Sequence, residues 1–387
     1  MEQAVISVNS MLFWIFAALT IVAMRLLSGN AKRRYVQAAI NLGFIGLLVH
    51  GLVIHVAVAI MVFYSLLRLM ADTKLRQILM ALTLGWVLIF FIVNKTGGAL
   101  AVNLPPGLPP LLAAVGFSFV ALRAIEVIRA VNEQNDSTPD AIDLVNYLVP
   151  FHMLAAGPIQ AYDDFRRPAE VPALDRAAAL SGAEAIANGL FKKFVLAFAV
   201  QRIFLNDFDS TGIHLLVESM FFLFWLYLDF SAYSDIALGI GKLAGISTPE
   251  NFRNPLAARN LVDFWDRWHI SLSLFIRRNI FIPIQLNLMR SSREFDPVLI
   301  ASVATSVSFL LCGLWHGLTW GWLGWGAMHA AGLVAVRVYG NWLTKRFTPQ
   351  QMVAYRQSRV AGLAATLLTY TYVSAAFLPV FLIGKGS

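Results

Sequence analysis

The sequence predicts an all-α, polytopic helical membrane protein, on three observations. Hydrophobic residues make up 58% of the 387 residues and charged residues only 13%. A soluble domain carries about 25% charged residues, so this chain lacks the charge to solvate a globular surface. The mean hydropathy is +0.67. The apolar residues also fall in runs long enough to cross a hydrocarbon core of about 30 Å, which predicts about 9–11 membrane helices plus re-entrant or short ones.

The first run, Val5 to Leu27, carries Glu2 and no basic residue ahead of it, so it reads as a retained helix and not a cleaved signal. Arg25, Lys32, Arg33 and Arg34 follow, which places that loop in the cytoplasm and the N-terminus outside. The stretch from Val36 to Met70 is too long for one span; His50, Gly51 and His55 near its middle predict a hairpin with a wet turn. A span over Gln77 to Val93 precedes a proline- and glycine-rich loop, Asn94 to Pro110. Leu111 to Val131 is the next span. Thr138-Pro139 reads as a capped helix start, for a helix carrying Val145 to Leu154 and broken at Gly157-Pro158. Ser181 to Phe204 is amphipathic, with Lys192 and Lys193 beside an apolar face. Further spans are expected at Leu215 to Leu228, Val298 to Leu314, Leu318 to Tyr339 and Val360 to Ile383. No internal repeat or composition shift marks a boundary, so residues 1–387 read as one membrane-embedded domain.

The net charge of +8 sits in short loops between apolar runs, where it sets topology; nucleic-acid binding is not expected. The single cysteine, Cys312, lies within an apolar run and forms no internal disulfide.

Between Asp229 and Ile284 polar groups are interleaved with aromatic and aliphatic residues too densely for a lipid-facing helix. Such chain is tolerated at membrane depth only when buried in protein or lining a watery cavity, so this region is expected to wall an internal site. The ionisable groups to explain are Asp229, Asp235, Asp266, Arg267, His269 and His316. His316 sits in CGLWHGLTWGWLGWG, among tryptophans 315, 320, 322 and 325 and five glycines. In a dry pocket an imidazole resists becoming a cation and stays available as a base.

Several motifs then occur in one order: GFSFVALRAIEVIR at Gly116, MLAAGPIQAYDDF at Met153, GLFKKFVLA at Gly189, LDFSAYSDIALGIG, PENFRNP, FWDRWHISLS and GLWHG. In these the chain resembles the membrane-bound O-acyltransferase family. It is most similar to the bacterial branch that acetylates alginate and related polymers or transfers D-alanine to teichoic acids. The resemblance covers a motif-bearing core of about residues 116–329. It implies a tunnel, with His316 as catalytic base and His269 as its partner across it, and substrate contacts from Trp315, Trp268, Arg267, Asp235, Asn254 and Trp320. It implies no tightly bound cofactor and no metal; the acyl donor is a thioester on coenzyme A or a phosphopantetheine carrier protein, arriving from the cytoplasm. The acceptor is a hydroxyl of an extracytoplasmic polymer, lipid, glycan or partner protein, in the bacterial cytoplasmic (inner) membrane. A polymer-export or second acyltransferase partner is also implied.

Three positions depart from the family pattern: Arg277-Arg278-Asn279 replaces arginine-aspartate-tyrosine, Pro283-Ile284-Gln285-Leu286 replaces proline-leucine-glycine-glycine, and His152 replaces a proline. The first two bear on substrate identity or route more than on the chemistry.

Other readings stay open at this stage. His316 alone reads as a histidine bonded between helices, and His269 as a shape-holding residue. Asp266 and His269, three apart, form half of a metal site at most. Cys312 is a small apolar filler or an acylated nucleophile. His329 is a packed histidine or a contact on the donor route. Asp229, Tyr233 and Asp235 form a buried network or simply pack. The whole chain is an enzyme, a relay subunit handing acyl groups to a second acyltransferase, or a transporter, although the paired halves of a transporter are not visible.

Overall fold

The computed structural model describes residues 8–48, 53–72, 76–95, 117–133, 139–167, 174–205, 213–291 and 295–384, and every regular element among them is helical. The first run forms α1 (Met11–Leu26), capped by the Ser10 hydroxyl, which accepts from Leu12 N–H. The long stretch after it divides, as expected, into α2 (Asn30–Leu48) and α3 (Val53–Asp72). His50 and Gly51 lie outside the described residues, as do residues 96–110 of the expected proline-rich loop. The next elements are α4 (Arg76–Lys95) and α5 (Phe117–Glu133).

The following helix, α6 (Ala141–Leu148), corrects the expected start and end. Asp140 is its cap, its carboxylate accepting from Ile142 N–H at 2.9 Å, whereas Thr138 lies outside the described residues. The helix stops at Leu148 because Pro150 disfavours helical geometry in the residue before it. A single tight turn at Phe151–Met153 follows, and the break at Gly157-Pro158 is present, with Gly157 at φ 83°. Irregular chain of this kind needs partners for its carbonyls. Arg123 supplies them, donating to the carbonyls of Leu148, Met153 and Pro158 at 3.3, 2.7 and 3.3 Å. The Tyr233 hydroxyl donates to His152 O and accepts from Ala155 N–H, and His152 Nε2 lies 3.2 Å from Thr248 Oγ1.

After α7 (Tyr162–Arg166), the amphipathic stretch becomes α8 (Arg176–Phe191), a wide turn over Lys192–Ala197, and α9 (Phe198–Phe204). The span expected to end near Leu228 instead runs on as α10 (Ile213–Ala244), 32 residues long. Two of the polar residues around Leu228 are accommodated within it. Asp229 is ion-paired with Lys193 at 2.5 Å, and Ser231 donates back to the Leu228 carbonyl. The remaining elements are α11 (Leu261–Trp265), α12 (Ile270–Ile276), a wide turn at Arg277–Phe281, α13 (Ile282–Met289), α14 (Pro297–His316), α15 (Trp320–Arg346) and α16 (Pro349–Gln357). The last expected span is interrupted, as α17 (Arg359–Ala375) and α18 (Leu378–Gly384).

Three stretches among the described residues are long and apolar enough to cross a membrane: Ile213–Ala244, Pro297–His316 and Arg359–Ile383. Their outer faces carry large apolar side chains, with Val360 81% and Leu368 71% exposed, which only a hydrocarbon surround makes favourable. The chain is an all-α integral membrane protein.

It divides into two compact units, residues 1–190 with 232–249 and residues 191–231 with 250–387. The core about residues 116–329 contributes to both. In the first unit Phe13, Phe44 and Phe151 form an aromatic centre, with ring centroids 5.9 and 5.6 Å from Phe151. There α8 and the end of α10 meet backbone to backbone at glycines: a Cβ on Gly239 would stand 2.6 Å from the Gly182 carbonyl oxygen and 2.6 Å from Ile186. Gly239→Leu is therefore expected to lower stability by about 1–3 kcal/mol through overpacking, whereas Gly85→Ala, which meets nothing within 4 Å, should not. Thermal unfolding of the detergent-purified variants reads this difference.

Candidate active site

Both sequence-predicted histidines fall in the second unit, and each is placed by a separate local device. His269 is the cap of α12, at φ 44° and ψ 52°. That left-handed conformation costs a non-glycine residue on the order of 1–3 kcal/mol, so surrounding contacts must enforce it. They do so by lacing two irregular stretches together. Arg253 N–H donates to the Arg267 carbonyl at 2.9 Å, and Ile270 N–H donates to the Asn251 carbonyl at 3.0 Å. Asn251, 2% exposed, then becomes the hub: its Oδ1 accepts from Ser271 N–H at 3.2 Å and Ser271 Oγ–H at 2.8 Å, and lies 3.0 Å from His269 Nδ1.

This arrangement fixes the protonation of the ring. A backbone N–H only donates, so the atom facing Ser271 is the amide oxygen and not the nitrogen. His269 Nδ1 must then carry the proton it gives to that oxygen, which leaves the lone pair on Nε2. The ring stands edge-on to Phe230 at 4.7 Å, inside a cluster that also holds Phe252, Phe264 and Trp268.

His316 is the last residue of α14, and Gly317 ends the helix. Only residues 317–319 separate it from α15, which starts under the Thr319 cap. The two helices approach without side chains between them: a Cβ on Gly313 would lie 2.3 Å from Trp322 O, and one on Gly326 would lie 2.4 Å from Phe309 O. That close crossing seats the His316 ring stacked on Trp322 at 5.0 Å and edge-on to Trp325 at 5.1 Å, with Trp315 at 4.7 Å. His269 lies within electrostatic range of His316.

A third histidine lies on the Trp325 side of the His316 surround. His329, 1% exposed, lies 4.3 Å from the Trp325 ring and within electrostatic range of His316. Its Nδ1 accepts from Trp265 Nε1–H at 3.3 Å. An indole N–H only donates, so neutral His329 carries its proton on Nε2, the opposite tautomer to His269. Neither His329 Nε2 nor Trp325 Nε1 has a hydrogen-bond partner among the described residues. Two buried N–H donors without acceptors cost about 1–3 kcal/mol each. An oxygen placed against them would satisfy both.

The description membrane-bound O-acyltransferase family fits residues 8–374 of the chain. The chain belongs to that family. Its relatives include a peptidoglycan O-acetyltransferase of Helicobacter pylori, 32% identical over 49% of this chain and 34% of the relative. A teichoic acid D-alanyltransferase of Bacillus subtilis is 23% identical over 70% of each chain. The protein named probable alginate O-acetylase AlgI of Azotobacter vinelandii is 29% identical over 59% of this chain and 45% of its own. The matched region thus spans from about a third to about two thirds of these relatives' lengths.

The other sequence-predicted contacts are placed unevenly around this family core. Trp315 touches the His316 ring, and Trp268 is buried in the aromatic cluster behind His269. Arg267 is ion-paired with Asp263 at 2.6 Å. Asn254 is exposed at φ 48°, starting the Pro255–Ala257 turn. Trp320, expected among the walls, is 76% exposed at the start of α15. Asp235 belongs to the first unit, as does Tyr233, while Asp229 belongs to the second. Cys312 is buried in α14. Of the departures from the family pattern, Arg277-Arg278-Asn279 lies in the wide turn Arg277–Phe281, a local distortion frequent at functional sites, and Pro283-Ile284-Gln285-Leu286 lies in α13.

Asn251 carries the geometry without standing out in the sequence, whereas Trp325 reads there as a pocket wall and His329 as a packed histidine or a contact on the donor route. Asn251 lies in PENFRNP, where a single asparagine has no visible partner in sequence. Asn251→Leu is expected to destabilise the protein by about 1–3 kcal/mol per stranded donor at Ser271 and His269. Asn251→Asp, which keeps the acceptor, should lose less; denaturation midpoints of the two variants decide it.

Proposed function

We propose that this chain is an O-acyltransferase that moves a small acyl group from a thioester to a hydroxyl. The observation that carries the reading is the surround of His316, a ring held by tryptophans beside two buried N–H donors that lack acceptors. In this reading His316 takes the proton of the acceptor hydroxyl, and the freed oxygen attacks the thioester carbonyl carbon. The carbonyl π electrons move onto oxygen, and Trp325 Nε1–H and His329 Nε2–H meet that developing charge. Collapse re-forms the carbonyl, breaks the C–S bond and returns the proton from His316 to the leaving thiolate. His269, fixed by Asn251 with its lone pair on Nε2, accepts from a second hydroxyl of the acceptor and so positions it without competing for the reacting proton. A water-excluding, aromatic surround protects the thioester from hydrolysis.

The relatives' names specify acetyl or D-alanyl as the group and peptidoglycan, teichoic acid or alginate as the acceptor. The proposed acceptor is accordingly a hydroxyl of an extracytoplasmic envelope polymer. The proposed donor is a coenzyme A or phosphopantetheine-carrier thioester, reaching the site from the cytoplasm. The basic loop after α1 supports a cytoplasmic face there, with the N-terminus outside and the chain in a bacterial inner membrane.

With purified protein and acetyl-coenzyme A as first donor, thiol release by His316→Ala is expected to fall by about 10²–10⁴-fold. Trp320→Ala should keep the wild-type rate. Equal release by wild type and His316→Ala would remove His316 from the chemistry. His329→Leu should lower kcat by about 10²–10³-fold with little change in KM, because its N–H meets charge that exists only in the transition state. His329→Gln, which can accept from Trp265 and still donate, should recover part of the loss.

A further inference from the structure

The first unit contains a polar cavity of about 410 Å³ that the acyl-transfer reading does not use. It is bordered by the α1–α2 turn, α6, α7, the chain after Pro150 and residues 245–247 beyond α10. Five arginines line it against three aspartates. The aspartates are already engaged at the rim: Asp140 and Asp143 pair with Arg34 at 2.8 and 2.6 Å, and Asp164 pairs with Arg167 at 3.2 Å.

Of the other three arginines, Arg166 stands over the Tyr162 ring at 5.8 Å, and two lack a carboxylate among the described residues. Arg123 lines the cavity yet is 1% exposed, and its guanidinium is held by the Leu148, Met153 and Pro158 carbonyls. Arg33 donates through Nε to the Leu27 carbonyl. Neither forms an ion pair with a carboxylate among the described residues. Carbonyl dipoles satisfy hydrogen bonds but cancel no charge, and a buried cation without a counter-charge is costly. An anion entering the cavity would supply that counter-charge.

The cavity is too large for a bare ion and falls in the range of about 300–1,000 Å³ typical of organic ligands. Guanidinium forks match the oxygens of a phosphate, and rim carboxylates accept from hydroxyls beside it. The cavity also adjoins the basic ends of membrane helices, where anionic headgroups concentrate. We propose that this cavity is a binding site for an anionic phosphate ester with a hydroxylated body, its phosphate between Arg123 and Arg33. A phosphoglycerol lipid headgroup and a soluble glycerol or sugar phosphate share that chemistry.

The test uses the full chain purified in a neutral detergent, with phosphatidylglycerol, phosphatidylcholine and glycerol 3-phosphate as probes in separate titrations. Saturable binding of phosphatidylglycerol in preference to phosphatidylcholine, weakened about tenfold or more by Arg33→Gln, supports a lipid occupant. Saturable binding of glycerol 3-phosphate with the same sensitivity supports a soluble one. Arg123→Lys, which keeps the charge but loses the fork, should weaken either; gel-filtration profiles establish that the variants stay folded, and Arg33→Gln, at the rim, carries the decision if Arg123→Lys does not fold. Absence of saturable binding by both anionic probes, equal binding of both lipids with no binding of glycerol 3-phosphate, or binding indifferent to Arg33→Gln overturns the proposal.

Discussion

The site depends on one amide oxygen. Asn251 Oδ1 gathers Ser271 N–H, Ser271 Oγ–H and His269 Nδ1–H, and through them ties the start of α12 to a stretch of irregular chain. That triple acceptance holds His269 in a left-handed conformation and selects its tautomer. The strain is local, while its compensation comes from a residue 18 positions earlier. Irregular polar chain is admissible in the interior here because the donors and acceptors around Asn251 are matched to one another.

His316 is positioned by the opposite device, the removal of side chains. Gly313 and Gly326 let α14 and α15 approach at main-chain distance, which brings Trp322 and Trp325 against the ring. Van der Waals contact and shape, more than any hydrophobic drive, hold such a crossing together in lipid. The unit also holds two buried histidines of opposite tautomer, one set by an amide oxygen and one by an indole N–H. The first keeps its lone pair on Nε2 and the second presents an N–H there.

The helical class, the hairpin at α2 and α3, the break at Gly157-Pro158 and both motif histidines were legible in the sequence, since runs of apolar residues, prolines and short motifs are local signals. The length of α10 was not. Asp229 reads as a stop until its pairing with Lys193, 36 positions away, is known. The cap of α6 moved to Asp140 because Ser, Thr and Asp are near-equivalent caps and neighbours choose between them. Trp320 and Trp325 look alike in WGWLGW, yet helical phase exposes the first and buries the second. Asn251 was hidden, and Trp325 and His329 were legible without their unmatched donors, because partnership at long range leaves no mark in composition or spacing.

The tautomer of His269 is the most direct gauge of this account. Nitrogen-15 NMR of histidine-labelled protein near neutral pH, assigned by the signal lost in His269→Gln, reads which ring nitrogen bears the proton. A protonated Nδ1 and an unprotonated Nε2 are expected, with the preference weakened in Asn251→Leu. A protonated Nε2 with a bare Nδ1 in the wild type would contradict it.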